Sequence, residues 1–185
     1  MEGKIIKSNK WGRGIHSPFA YRLVTDVIFA PYPFYSFEDI RKLASSAGTR
    51  EELEIIFRLI NFFQPENIWT VGEQDENIEK VCNWAKPGAA LLTVPCVNNT
   101  HENSIITPEE NSFIIWNNYC ALEPFNLNRE QPLTFIIRKI NDLKMEQLFE
   151  ELKGKQGVSV TIELRNFGIV LINGKFQKQN FVINH

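Results

Sequence analysis

The sequence has little cysteine, little histidine and no long apolar run, and each shortage narrows the field. Three cysteines, Cys82, Cys96 and Cys120, form no C-x-x-C pair, which excludes a zinc ribbon and a thioredoxin-type dithiol. An odd, unpaired set reads as the reduced thiols of a cytosolic protein. Of the three histidines, His101 falls in a polar stretch, His185 is terminal and His16 precedes a helix cap. No metal site is readable from them, and no serine or cysteine nucleophile is marked by its neighbours. No segment approaches the roughly 18 consecutive apolar residues of a membrane span. The opening Met1-Glu2-Gly3-Lys4-Ile5-Ile6-Lys7 lacks the apolar core of a signal peptide. These features predict a soluble, cytoplasmic protein that does not engage membranes. Excess charge is missing as well: a formal net charge of −2 predicts no general affinity for nucleic acid. Only a local basic patch stays open.

What is present suits one compact domain. The 185 residues are 43% apolar and 23% charged, an ordinary globular balance with enough chain to bury a core. Residues 1–16 carry Lys4, Lys7, Lys10 and Arg13 between Gly12 and Gly14 and read as an extended arm. Ser17-Pro18 opens a helix, the hydroxyl capping free amides and the proline standing where its missing N–H is harmless. Phe19, Leu23, Val27 and Ile28 continue it to about Phe29, before Pro31 and Pro33. A short helix is expected over 37–45, and Thr49-Arg50-Glu51-Glu52 fits a capping box for a strong helix ending at Pro65. Residues 1–65 are therefore expected to form an arm and helical extension without strands.

From residue 66 onward the pattern alternates. Strands are expected at 68–71, 89–94, 113–116 and 134–137, with helices at 75–85 and 143–153; Ile105-Ile106 offers a vestigial strand. Val158 to Leu164 alternates as a strand with one polar face. Gly168 to Ile172 follows a short turn, so the pair forms an antiparallel hairpin. Asn173-Gly174 is a further hairpin signal, with a strand in 176–184. Residues 66–185 thus read as an α/β core, a mainly parallel sheet covered on both faces and finished by antiparallel strands.

Three segments carry a family resemblance. Gly14-Ile15-His16-Ser17-Pro18-Phe19-Ala20-Tyr21, Leu59 to Ile68 (L-I-N-F-F-Q-P-E-N-I) and Val158 to Ile172 with Gln177 to Phe181 are similar to a bacterial group of class I S-adenosylmethionine-dependent methyltransferases. The resemblance implies a Rossmann-like methyltransferase fold with its cofactor site after the first core strand. In that family the strand ends in an acidic residue and a glycine-rich turn, whose amides approach the methionine part of the cofactor. Here the turn reads Thr70-Val71-Gly72-Glu73-Gln74-Asp75-Glu76-Asn77. Gly72 holds the first glycine position, later glycines are replaced, and Thr70 stands at the acidic one. Glu73 and Asp75 are candidates to pair the cofactor's ammonium or sulfonium; the plainer reading makes Asp75 a helix N-cap. The ribose-binding carboxylate position falls on Pro95, with Glu102 as a distant substitute. Arg138 and Lys139 stand where the related group has an acidic pair, and Asn117 and Asn118 where it has an aspartate. None of these is a competent general base.

The leading expectation is a methyltransferase-like protein without catalytic residues, bound cofactor or metal. It would act as a binding or protein-interaction scaffold with a protein partner or as a homo-oligomer. The alternative is an active S-adenosylmethionine-dependent methyltransferase gripping its cofactor through Gly72 and backbone groups. A third reading places an anion pocket at Arg138, Lys139 and Asn117. His16 and the aromatic residues Trp11, Trp69, Trp84, Trp116 and Tyr32 to Tyr35 are expected to pack rather than to form a ligand site.

Overall fold

The computed structural model describes residues 5–95, 107–120 and 132–184. The vestigial strand at Ile105-Ile106, Glu102, His101, Cys96 and His185 lie outside the described residues. The chain folds as an α/β protein around one eight-stranded, mostly parallel sheet. Its strands are β1 (Ile5–Asn9), β2 (Asn67–Val71), β3 (Ala90–Val94), β4 (Ser112–Trp116), β5 (Leu133–Arg138), β6 (Val158–Glu163), β7 (Phe167–Ile172) and β8 (Gln179–Asn184). Their spatial order is β1-β8-β6-β7-β5-β4-β2-β3. Among the described strands only β7 runs against its neighbours, β5 on one side and β6 on the other.

The central strands are apolar runs because both faces are covered. On β4, Phe113 and Ile115 enter one hydrophobic cluster while Ile114 and Trp116 enter the other, the period-2 alternation of a pleated strand. The first cluster packs under α1 (Pro18–Arg22), α2 (Phe37–Leu43), α3 (Ala47–Phe63) and α4 (Glu76–Ala85). The second packs under α5 (Leu143–Gly154) through Met145, Leu148, Phe149 and Leu152.

Several expectations are met at the level of single residues. Ser17 caps α1 by accepting from the Ala20 amide, Asp75 caps α4, and Gln64 ends α3 in the left-handed region before Pro65. Others need correction. The first 65 residues do contain a strand: β1 adds in parallel to β8 at the sheet edge, a pairing made available only by the far end of the chain. The helix opened at Pro18 widens into a π-helical segment at Leu23–Ile28, where the Phe29 amide donates to the Val24 carbonyl. The cap of α3 is Ser46, whose hydroxyl accepts from the Thr49 amide at 3.1 Å, so the expected box at Thr49 lies inside the helix. The polar face of β6 is buried, with Ser159 donating to the Leu171 carbonyl and Thr161 to Asn180 Oδ1. The chain after Asn173-Gly174 does not return beside β7; it crosses to pair β8 with β6 in parallel.

The order β3-β2-β4 positions the site. The chain leaves β2 toward β3 on one side and re-enters at β4 on the other. Parallel neighbours whose connections diverge leave a crevice outside their carboxyl ends, the place where open α/β sheets bind ligands.

Candidate functional site

The crevice outside β2 and β4 is occupied by the chain's own side chains. Val71 ends β2 and the turn begins at Gly72, whose φ of 99° is accessible to glycine but strained for other residues. The second reason for glycine is contact: a Cβ here would overlap Asn118 Oδ1 and come within 3.3 Å of the Asn118 backbone nitrogen. Asn118 follows β4 and turns its side chain back over the turn, where Oδ1 accepts from the Glu73 amide at 2.6 Å. Its neighbour Asn117 donates its backbone N–H to the Val71 carbonyl at 2.9 Å and its side-chain Nδ2 to the Glu73 carbonyl at 2.8 Å. Both polar groups of the Glu73 backbone are therefore satisfied within the protein.

Arg138 joins this seam from the end of β5. It is 7% exposed. Its Nε donates to Glu52 on α3, while its Nη1 donates to Asp75 Oδ2 at 2.8 Å and to Asn117 Oδ1 at 2.9 Å. Asp75 works in two directions, since its Oδ1 also accepts from the Asn77 and Ile78 amides at the start of α4. A charged guanidinium so deeply buried requires this matching. Burial opposes its charge, yet Glu52 and then Asp75 outweigh it and hold the guanidinium above its ordinary pKa. Burial likewise pushes the Asp75 carboxyl upward, but Arg138 and the two amides prevail and hold it below its ordinary value of 3.8.

The sign of that shift gives a pH prediction. A carboxylate depressed in the folded state adds stability above its unfolded pKa, and this is lost as pH falls through the folded value. Asp75→Asn keeps a good capping residue but loses the titrating charge. Urea midpoints taken from pH 7 down to pH 2 should therefore fall less steeply in the variant than in the parent. Parallel curves would remove Asp75 from the acid response.

Sequence-predicted residues are thus partly gathered. Gly72, Glu73, Asp75, Asn117, Asn118 and Arg138 meet in one hydrogen-bonded seam. Lys139 is exposed, in the left-handed region with φ 54°, and only borders it. Arg138, which the third reading places in an anion pocket, is enclosed by two carboxylates. Thr70, which the resemblance sets at an acidic position, is buried against Thr93 with hydroxyls 3.1 Å apart. Pro95 directly follows β3. Sequence reasoning missed Glu52, although it shares the helical face of Ile55, Ile56 and Leu59. A glutamate on an apolar face signals a buried cation elsewhere.

What stays open is a hollow of ≈ 230 Å³ bordered by Glu73, Asp75, Glu76, Asn117, Arg138 and Lys139. That is below the usual size of small-molecule sites, about 300 Å³ and upward. Carboxylates outnumber cations around it. Elsewhere, burial raises the Cys82 thiol to about 12, so it is not a thiolate at neutral pH. Trp116 is buried as expected, whereas Trp11, Tyr32 and Tyr35 stand 72%, 77% and 80% exposed. Among the described residues, no three acidic, histidine or cysteine side chains could hold a metal ion, and no helix is long and apolar enough to cross a membrane. No protein-family model matches the chain, and no curated protein matches it.

Three features bear on the S-adenosylmethionine site that the resemblance implies. The Glu73 amide that would approach the methionine portion already has Asn118 as its acceptor. Proline offers the ribose no side-chain acceptor after β3. The cofactor's carboxylate would meet Glu73, Asp75 and Glu76 on one turn, and opposed like charges a few ångströms apart cost on the order of kilocalories.

Proposed function

We propose that this chain is a methyltransferase-like protein that neither binds the cofactor nor catalyses methyl transfer, and that serves as a protein-interaction scaffold. The observation that carries the reading is the seam itself. The one glycine retained at the cofactor turn is filled by Asn118 of the same chain. The methyltransferase part of the reading is supported by the three similar segments and by a mostly parallel sheet containing the antiparallel β7. The interaction part is supported by the exposed aromatic side chains of Trp11, Tyr32 and Tyr35, whose rings combine an apolar body with a polar tip suited to a contact surface.

Thermal unfolding in the presence of S-adenosylhomocysteine tests the first half. A ligand at a hundred times its Kd stabilises the folded state by about 2.7 kcal/mol, which for a chain this long raises Tm by roughly 5–10 °C. At millimolar ligand the midpoint should not move. A shift of that size would establish a working cofactor site and overturn the reading.

A further inference from the structure

The N-terminal edge of the sheet combines charge, aromatic surface and unpaired backbone in one place. Five of the chain's 20 Lys and Arg fall within its first 25 residues, but only one of its 22 Asp and Glu does. The rest of the protein is acidic by difference, so the positive charge is local. In the fold Lys7 lies in β1 and Lys10 and Arg13 in the turn after it, while Arg22, on α1, faces Asp26. β1 is the terminal strand of the sheet, paired with β8 on one side and with no strand on the other among the described residues.

The turn is fastened rather than loose. Asn9 Oδ1 accepts from the Trp11 and Arg13 amides, the Gly12 amide donates to the Asn9 carbonyl, and buried Ser8 donates to the Arg13 carbonyl at 2.8 Å. Gly12, with φ 68°, lies flat against the ring of Tyr21; a Cβ would come within 2.7 Å of it. The consequence is a fixed display. Lys7, Lys10 and Arg13 are exposed beside the open edge, next to Trp11 and the 44% exposed Tyr21.

We infer that the outer edge of β1 is a docking site for an acidic, extended segment of a partner protein, which adds to the sheet as a further strand. This rests on the interaction-scaffold reading and names its surface and partner chemistry. An open strand edge offers alternating N–H and C=O groups at a spacing that only another polypeptide strand matches. Lys7 on this edge opposes a second copy of the same strand, because like charges directly opposite one another destabilise a pair. The same lysine, with Lys10 and Arg13 in the adjoining turn, favours glutamate or aspartate in the added segment. Trp11 and Tyr21 provide rigid apolar surface for the alternate side chains. A single-stranded nucleic acid would use the cations and rings but not the edge.

The test uses the full-length protein and an eight-residue peptide alternating glutamate with valine and phenylalanine. Fluorescence anisotropy should show saturable binding, and hydrogen exchange should slow at amides within Ile5–Asn9. Reversing Lys7, Lys10 and Arg13 to glutamate, all exposed positions, should weaken binding by about tenfold or more. A peptide with lysine in place of glutamate should not bind. The inference is overturned if the acidic peptide fails to bind, if charge reversal is without effect, or if β1 exchange is unaltered. It is equally overturned if oligothymidylate binds in preference to the peptide, or if light scattering shows a dimer that buries β1. Failure here leaves the cofactor result untouched, and cofactor binding would leave this result untouched, so the two readings fail separately.

Discussion

Replacing Arg138 by methionine should lower the stability of the folded protein by about 3–5 kcal/mol at pH 7, the usual consequence of leaving buried carboxylates without their cation. The side chain of Arg138 is 8% exposed and that of Glu52 13%, so water cannot substitute for the lost partner there. Asp75 is 32% exposed and partly screened, which places most of the penalty on Glu52. In a chain of this length the loss corresponds to a Tm lower by roughly 6–20 °C. The part that Arg138 contributes through Asp75 is lost as pH falls through the depressed Asp75 pKa, so the deficit should shrink below about pH 3.8. Adding Glu52→Gln and Asp75→Asn to Arg138→Met should recover much of it, since removing all the charges of a buried cluster is far milder than removing one. A loss below about 1 kcal/mol in the single variant, within reach of an exposed ion pair, would mean that Arg138 does not hold the seam together.

Gly72→Ala should cost about 2–5 kcal/mol, combining a strained backbone with overlap in a filled space. Gly14 provides the comparison: its φ is also positive, at 85°, but an added Cβ meets nothing within 4 Å. Gly14→Ala should therefore report backbone strain alone, and the excess at Gly72 should report the contact with Asn118. In the double variant Gly72→Ala with Asn118→Gly, that excess should disappear while the strain remains, giving a coupling energy of about 1–3 kcal/mol. Urea unfolding of the four proteins measures it. Simple additivity would show that Asn118 does not occupy the turn. The comparison separates two reasons for a glycine at this position, approach by a ligand and approach by the chain itself.

Much of the architecture is legible in the residues because it depends on local chemistry. Phe113 to Trp116 and Thr134 to Ile137 read as buried strands, and Asp75 and Ser17 mark helix starts through short-range hydrogen bonds. The misread features depend on distant partners. Ile5 to Asn9 becomes a strand because β8, more than 170 residues later, supplies its ladder. Thr49 and Glu52 have the spacing of a capping box, but Glu52 is drawn to Arg138, 86 residues away, and Ser46 takes the cap. Arg138 at the end of an apolar run resembles a strand leaving the core for solvent. Its burial follows from Glu52 and Asp75, which no local pattern ties to it. The residues of the turn after β2 are visible in the sequence, whereas their bonding to Asn117, Asn118 and Arg138 is visible only in the fold.

The proposal that this protein binds no S-adenosylmethionine rests on Asn117, Asn118 and Arg138, which take up the polar groups of the turn after β2. Calorimetric titration of the purified protein with S-adenosylmethionine and S-adenosylhomocysteine tests it most directly. No binding heat is expected up to millimolar ligand. Micromolar binding that is lost in Gly72→Trp would contradict it and place the cofactor in the crevice.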